Sequence, residues 1–196
     1  MDYGIGNLFS ISCALIRAGI EPKIISSEIM SLNDADAIIL PGVGNFRKAS
    51  RSLEAQQTVI MEAISSGVPV FGICLGMQLF FEESEESEGR GLGIFEGKVV
   101  RLPNYVKRPH MGWNTLLISQ PDGILSGIDE NDYFYFVHSY YVNPRSREIV
   151  IAETEHGVRF ASVIRRKNII GVQFHPEKSG RPGKRVIQNF ARIIKR

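Results

Sequence analysis

The run 68-VPVFGI-73 constrains the fold more than any other stretch of the chain. It has no polar position to turn toward water, so a strand here has to be covered on both faces, as in a buried parallel sheet. The neighbouring segments can supply the covers. Leu8, Ile11, Leu15 and Ala18 recur at helical spacing behind Asn7, a suitable N-cap, and Gly19 ends that helix. Strand-like runs follow at 23-KIIS-26 and 36-DAIIL-40, the second leading into the turn 41-PGVG-44. Residues 46–66 read as helix with Gly67 as its stop, and Cys74 opens a further helix. This alternation predicts an α/β fold: one domain over residues 1–196, with a mainly parallel central sheet and helices on both faces.

From Gly91 the texture changes. Short strands are expected at Phe95–Arg101, Thr115–Ile118, Tyr133–Val137, Ile149–Glu153, Phe160–Ile164 and Ile169–Gln173, without long helices between them. They predict an antiparallel extension at one edge. An amphipathic helix from Pro182, carrying Val186, Ile187, Phe190, Ile193 and Ile194, closes the chain.

Composition narrows the function classes. With 23 Lys+Arg against 21 Asp+Glu, the chain has no basic footprint for nucleic acid or an anionic membrane. The runs 165-RRK-167 and 184-KR-185 read as solvated faces. Two cysteines, Cys13 and Cys74, in differently patterned segments make no disulfide framework, which fits a reducing cytoplasm. No apolar run approaches the ~18 residues of a membrane helix, and the first ten residues carry no charged-then-apolar signal. The expectation is a soluble cytoplasmic protein.

Chemistry concentrates at strand ends. In 72-GICLGMQ-78, Gly72 and Gly76 flank Cys74 two residues away on each side, between an apolar strand and a helix. That is a nucleophile-elbow arrangement with sulfur in place of oxygen. A helix N-terminus there favours a thiolate, and the Leu75 N–H can meet an oxyanion. The spacing alone also fits a buried structural cysteine. His175 in 173-QFHPEKS-179 follows the apolar run Ile169–Phe174, Pro176 turns the chain out of the strand, and Glu177 can orient the imidazole. His110, His138 and His156 have no comparable acid on a strand-end turn. The glycines of 41-PGVG-44 free a Val43 or Gly44 N–H to aim at the same oxyanion.

These strings resemble the class I (triad) glutamine amidotransferases. The segments 2-DYGIGN-7, 41-PGVGNF-46, 74-CLGMQLFFEESEES-87, 110-HMGWN-114, 135-YFVHSYY-141 and 173-QFHPEKS-179 are similar to the branch that serves imidazole glycerol phosphate synthesis. The resemblance implies that Cys74 forms a thioester with glutamine, with His175 as acid and base and Glu177 as its orienter. It implies an oxyanion hole from Val43 and Leu75, and glutamine held by Gln78, Glu86, Ser139 and Tyr140. From composition alone, Glu86 is equally one member of an acidic surface run. Ammonia would pass to a (β/α)₈-barrel cyclase, a heterodimer partner met through Ile5, Asn7, Met111, Trp113, Asn114, Tyr135 and Lys178. The partner makes imidazole glycerol phosphate and an aminoimidazole carboxamide ribotide, in histidine biosynthesis. Trp113, the chain's one tryptophan, also fits a core position. No metal or organic cofactor is implied. Family members place a short apolar strand ahead of the DYG-like turn, whereas here Met1 is followed at once by Asp2. Either the start is set too late, or another segment fills that place in the sheet.

Three alternatives remain open on sequence: the same glutaminase serving another synthase such as anthranilate synthase, a free-standing γ-glutamyl hydrolase or cysteine peptidase, and a catalytically silent binding protein. Ammonia released to water is wasted, so activity is expected to be held back until the partner binds, with the Val43 peptide of the glycine-bearing 41–44 turn as the control point.

Overall fold

The computed structural model describes residues 8–25, 32 and 35–195. The expected N-cap Asn7 and the interface candidates Ile5 and Asn7 lie outside them. Helix α1 (Leu8–Arg17) ends as its sequence predicts. Gly19, at φ 78°, donates to the Ile16 carbonyl at 3.0 Å, and Ile20 donates to that of Leu15 at 3.0 Å. This paired closure needs a left-handed residue, which glycine supplies without steric cost.

Strand β1 (Ile38–Gly42) leads to α2 (Phe46–Leu53), a 3₁₀ turn at Glu54–Gln56 and α3 (Gln57–Ser65). The expected single helix over 46–66 is therefore broken, and the tighter turn seats Gln56 in the interior at 2% exposure. Strand β2 (Val70–Cys74) follows, then α4 (Leu75–Gln78), β3 (Phe81–Ser84), β4 (Phe95–Arg101), β5 (His110–Asn114) and β6 (Leu117–Ile118). The chain continues through β7 (Phe134–His138), β8 (Tyr140–Pro144), β9 (Val150–Glu155), β10 (Arg159–Arg166) and β11 (Ile169–Val172) to α5 (Gly180–Ile194).

The central sheet runs β1-β2-β11-β10-β9-β6. β2 pairs in parallel with β1 and β11, whereas β10, β9 and β6 continue antiparallel. The α/β class holds, and among the described residues the sheet is mixed, with a larger antiparallel share than the sequence pattern indicates. Lys23–Ile25 form no strand, and Ile24 is 58% exposed. Three strands escaped the sequence reading, β3, β5 and β8. β5 is built from His, Met, Gly, Trp and Asn and is held by register with β7 rather than by intrinsic preference.

Apolar residues of β2 and β11 point alternately to two cores, as buried parallel strands require. Phe71, Ile73, Ile170 and Val172 face α1 and α5, where they meet Ile11, Leu15, Val186, Ile187 and Phe190. Val70, Ile169 and Leu40 face the other way, onto Phe46, Ala49, Leu53 and Ile60 of α2 and α3. The small β3-β4-β8 sheet packs on that second side through Phe81, Phe95, Val99 and Val142. Register aligns Gly42 with Cys74 and Val172 with Ile73, so three strand ends finish side by side.

Candidate active site

Cys74 is the last residue of β2 and the residue before α4, with φ 53° and ψ −105°. A side chain in that region costs of order 1–3 kcal/mol and persists where the surroundings impose it. The neighbouring glycines show how they do so. A Cβ on Gly76 would run into the Leu40 carbonyl of β1, and one on Gly72 would lie 2.7 Å from both the Met77 amide and the Phe80 ring. The elbow is thus clamped between β1 and its own helix, as the Gly72–Cys74–Gly76 spacing predicts. The helix itself is shorter than expected. α4 has four residues, so its macrodipole is a minor influence on the sulfur.

His175 follows β11 and is anchored twice to β7. Its N–H donates to the Tyr135 carbonyl at 2.9 Å, and its own carbonyl accepts from Ser179 Oγ at 2.6 Å. Ser179 Oγ in turn accepts from the Tyr135 N–H at 2.9 Å. His175 Nδ1 lies 2.9 Å from Glu177 Oε1, and both side chains are buried, at 2% and 5% exposure. With Nδ1 committed, Nε2 is the nitrogen left for the thiol, and it is buried without a partner of good hydrogen-bond geometry. Glu177 Oε2 is likewise unpartnered.

The pKa of His175 is raised to about 10. Burial is the largest single influence and works against the imidazolium. The charge of the Cys74 sulfur, the polar contact with it, and then Glu177 together outweigh burial. The sulfur is therefore close enough to act strongly on the ring, in the loose alignment common at sites without substrate.

Gln173, which the sequence reading did not single out, joins this group: its Nε2 is 3.5 Å from Cys74 Sγ. Its position two residues before His175 was the available signal. Gln78 is buried, and its amide nitrogen donates to the Tyr140 carbonyl at 2.9 Å and to Gln173 Oε1 at 3.2 Å. Tyr140 thus lies next to the site through its backbone, and Ser139 precedes it at half-buried depth. Glu86 accepts from the Phe46 N–H at 2.6 Å, at the start of α2 just past the 41–44 turn. Val43 is 37% exposed, one residue past the Gly42–Cys74 pair, and Gly44 beside it holds φ 127°.

The candidate interface residues that are described gather around the β5–β7 ribbon. Met111 and Trp113 of β5 are 61% and 56% exposed, which rejects the core position for the tryptophan. The Trp113 ring meets Tyr135 edge-on at 5.8 Å, and Lys178 Nζ lies over the Tyr135 ring at 5.8 Å. Asn114 donates to the Glu155 carbonyl at 2.9 Å.

Underneath, the three histidines without an adjacent acid form a cluster. His110 stacks on His156 with ring centres 4.1 Å apart and contacts His138 by hydrogen bond at 3.1 Å. Burial, with His156 adding, lowers the His110 pKa to about 4. Burial first, then the charge of His110, lowers that of His138 to about 3, against a hydrogen bond to the Tyr140 carbonyl that pulls the other way. A separate cavity of about 530 Å³ lies between α1, residues 19–25 and β1, and none of Cys74, His175 or Glu177 lines it. No helix among the described residues is long and apolar enough to cross a membrane.

The sequence model of the "Glutamine amidotransferase class-I" family matches residues 1–194. A protein of Aquifex aeolicus named imidazole glycerol phosphate synthase subunit HisH is 45% identical over 98% of this chain and 94% of its own. Proteins of the same name from Methanocaldococcus jannaschii and Pyrococcus furiosus are 45% and 46% identical, covering 99% and 98% of this chain and 98% and 97% of theirs. Among solved structures, a putative GMP synthase component from Thermoplasma acidophilum superposes with a TM-score of 0.77 at 20% identity, over 100% of this chain and 92% of that one. PurLQS from Thermotoga maritima gives 0.77 at 20% identity over 98% and 95%. At that identity these two speak for the fold.

Proposed function

The chain belongs to the class-I glutamine amidotransferase family, and from that premise we propose that it hydrolyses glutamine through a Cys74–His175–Glu177 triad as the glutaminase subunit of imidazole glycerol phosphate synthase. The observation that carries the reading is the strained Cys74 elbow standing beside a buried His175–Glu177 pair on adjacent strand ends.

In this reading the Cys74 sulfur attacks the side-chain amide carbon of glutamine, and the C–S bond forms as the carbonyl becomes an oxyanion. The Val43 and Leu75 N–H groups receive that charge. His175 gives its proton to the nitrogen, the C–N bond breaks, and ammonia leaves a γ-glutamyl thioester. Water then attacks with His175 taking its proton, the C–S bond breaks, and glutamate departs. The causes of the His175 shift fit both halves of the cycle. While the sulfur is charged, the ring holds its proton, ready for the leaving nitrogen. Once the sulfur is acylated, that charge is gone and burial favours the neutral base that water needs. Gln78, Glu86, Ser139 and Tyr140 would hold the substrate, with Gln78 doing so while tied to Tyr140 and Gln173.

The partner would be a (β/α)₈-barrel cyclase, docking on Met111, Trp113, Asn114, Tyr135 and Lys178, with Ile5 and Asn7 of the first loop. The pair would work in the cytoplasm. Glycine at 44 gives the peptide beside Val43 room to rotate, and losing one oxyanion donor costs roughly a hundred- to thousandfold in rate. Hence the free chain should be nearly silent. Ammonia release is measured for the purified chain alone and with cyclase plus ribotide ligand, and a large rise on addition is expected. Full turnover without the partner would favour the free-standing hydrolase.

A further inference from the structure

We propose that His138 is a positioning residue for the nucleophile: it ties the exposed β5–β7 ribbon to the Tyr140 carbonyl and, through Gln78 and Gln173, to the Cys74 sulfur. The inference rests on the reading of Cys74 as the nucleophile.

Each hydrogen bond in this line has one possible direction. His138 Nδ1 lies 2.9 Å from the Tyr140 carbonyl, which only accepts, so Nδ1 carries the hydrogen. In a neutral ring Nε2 is then bare and accepts from His110 Nδ1 at 3.1 Å. His110 Nε2 is bare in its turn and accepts from Asn114 Nδ2 at 3.3 Å. On the far side, the Tyr140 carbonyl also receives Gln78 Nε2 at 2.9 Å, and the second hydrogen of that amide goes to Gln173 Oε1 at 3.2 Å. Gln173 Nε2 then points at Cys74 Sγ, 3.5 Å away. The line from Asn114 to the sulfur thus admits one arrangement of hydrogens, and burial keeps both imidazoles in the neutral form it requires.

The placement of this line gives it a use. His110 and His138 are opposed partners across the ribbon, as are Trp113 and Tyr135 three residues further along. Trp113 stands out from the surface, and Asn114 is its neighbour on β5. A body docking on Trp113 bears on the same strand that carries His110 and Asn114. The same ribbon holds the base, because the Tyr135 backbone is bonded to His175 and to Ser179. One two-stranded element therefore sets the nucleophile through His138 and the base through Tyr135, with the docking residues between them.

A histidine that only fills space, packed on Phe160 at 5.0 Å, would affect folding and leave the chemistry of the folded protein alone. The two roles separate in the rate at which iodoacetamide alkylates Cys74 in the full chain, read by mass spectrometry against Cys13 in the same molecule. His138→Phe removes both bonds of the ring. It should slow Cys74 alkylation about tenfold relative to Cys13, the size of one lost buried hydrogen bond, and lower kcat of the partner-bound enzyme alike. His138→Asn, whose amide can reach the Tyr140 carbonyl, should restore most of both. His110→Phe keeps the stacking area while deleting the donor to His138, and it serves should His138→Phe not fold. A wild-type alkylation ratio and wild-type kcat in the folded variants overturn the proposal. Cys74→Ser separates the two levels: if it is inactive while the histidine variants behave as wild type, the positioning role alone fails, and if it still hydrolyses glutamine, the nucleophile assignment fails.

Discussion

Two buried histidine centres in this protein titrate in opposite directions. His175 is raised to about 10, whereas His110 and His138 are lowered to about 4 and about 3, although all three side chains are almost fully covered. Burial opposes the charged ring in every case. The sign is decided by what stands opposite: the Cys74 sulfur and the Glu177 carboxylate for His175, other imidazoles for the pair. Satisfaction differs as well. The pair uses its ring nitrogens in directed hydrogen bonds, while His175 Nε2 meets the Cys74 sulfur outside good hydrogen-bond geometry and Glu177 Oε2 has no partner. A buried polar atom left unmade costs roughly 1–3 kcal/mol, a cost that Glu177 Oε2 bears and the ribbon histidines do not. Strain at Cys74 adds to it. The candidate site is thus the more strained of the two centres.

The largest expected effect tests whether that strained sulfur is the nucleophile. Cys74→Ser should reduce glutamine hydrolysis by at least about a thousandfold, while Cys13→Ser leaves the rate nearly intact, both measured as ammonia release with the partner present. Equal losses would remove the contrast between the two cysteines. Next, Glu177→Gln keeps the size of the carboxylate and deletes its charge, so at least about a hundredfold should go from kcat. The same variant should lower the His175 pKa.

Stability against pH separates the two centres. His110 and His138 take up protons more readily unfolded, so their contribution is whole above about pH 6.5 and is lost as pH falls. Unfolding free energy should drop by roughly 3 kcal/mol for each of the two histidines between pH 7 and pH 4. His175 acts on the other limb, since its raised pKa gives stability that is full below about pH 6.5 and lost as pH climbs toward 10. Denaturant titrations should show Cys74→Ser flattening the alkaline limb and leaving the acid limb in place. The smallest effect is expected at the patch itself. Trp113 is 56% exposed, so Trp113→Ala should change folding free energy by no more than about 0.5 kcal/mol while weakening partner binding.

What could be read from the sequence follows the same division. The elbow was legible because close approach to Leu40 and Phe80 allows only glycine at 76 and 72, and that leaves a fixed spacing around Cys74. His175 and Glu177 were legible because Pro176 makes the turn that brings the acid back within two residues. β4 runs over Phe95–Arg101, the bounds expected from sequence. The ribbon was not legible. Its strength lies in pairings 28 residues apart between His110 and His138, and such hydrogen bonds leave no periodic mark. β5 has little strand preference of its own, and the short strand expected around Thr115–Ile118 shrank to Leu117–Ile118 beside it. At Lys23–Ile25 the apolar run suggested a strand, but its residues are not paired as one.

The charge on His175 tests the account most directly, because the opposition of the two centres and the two halves of the catalytic cycle both rest on it. Its ring can be followed by NMR from pH 5 to pH 11 in the full chain and in Cys74→Ala. We expect His175 to stay protonated well past neutrality in the wild-type chain and its titration to move down when the sulfur is removed, with His110 and His138 neutral throughout. A His175 that titrates near its ordinary value, unchanged by loss of Cys74, would contradict the account.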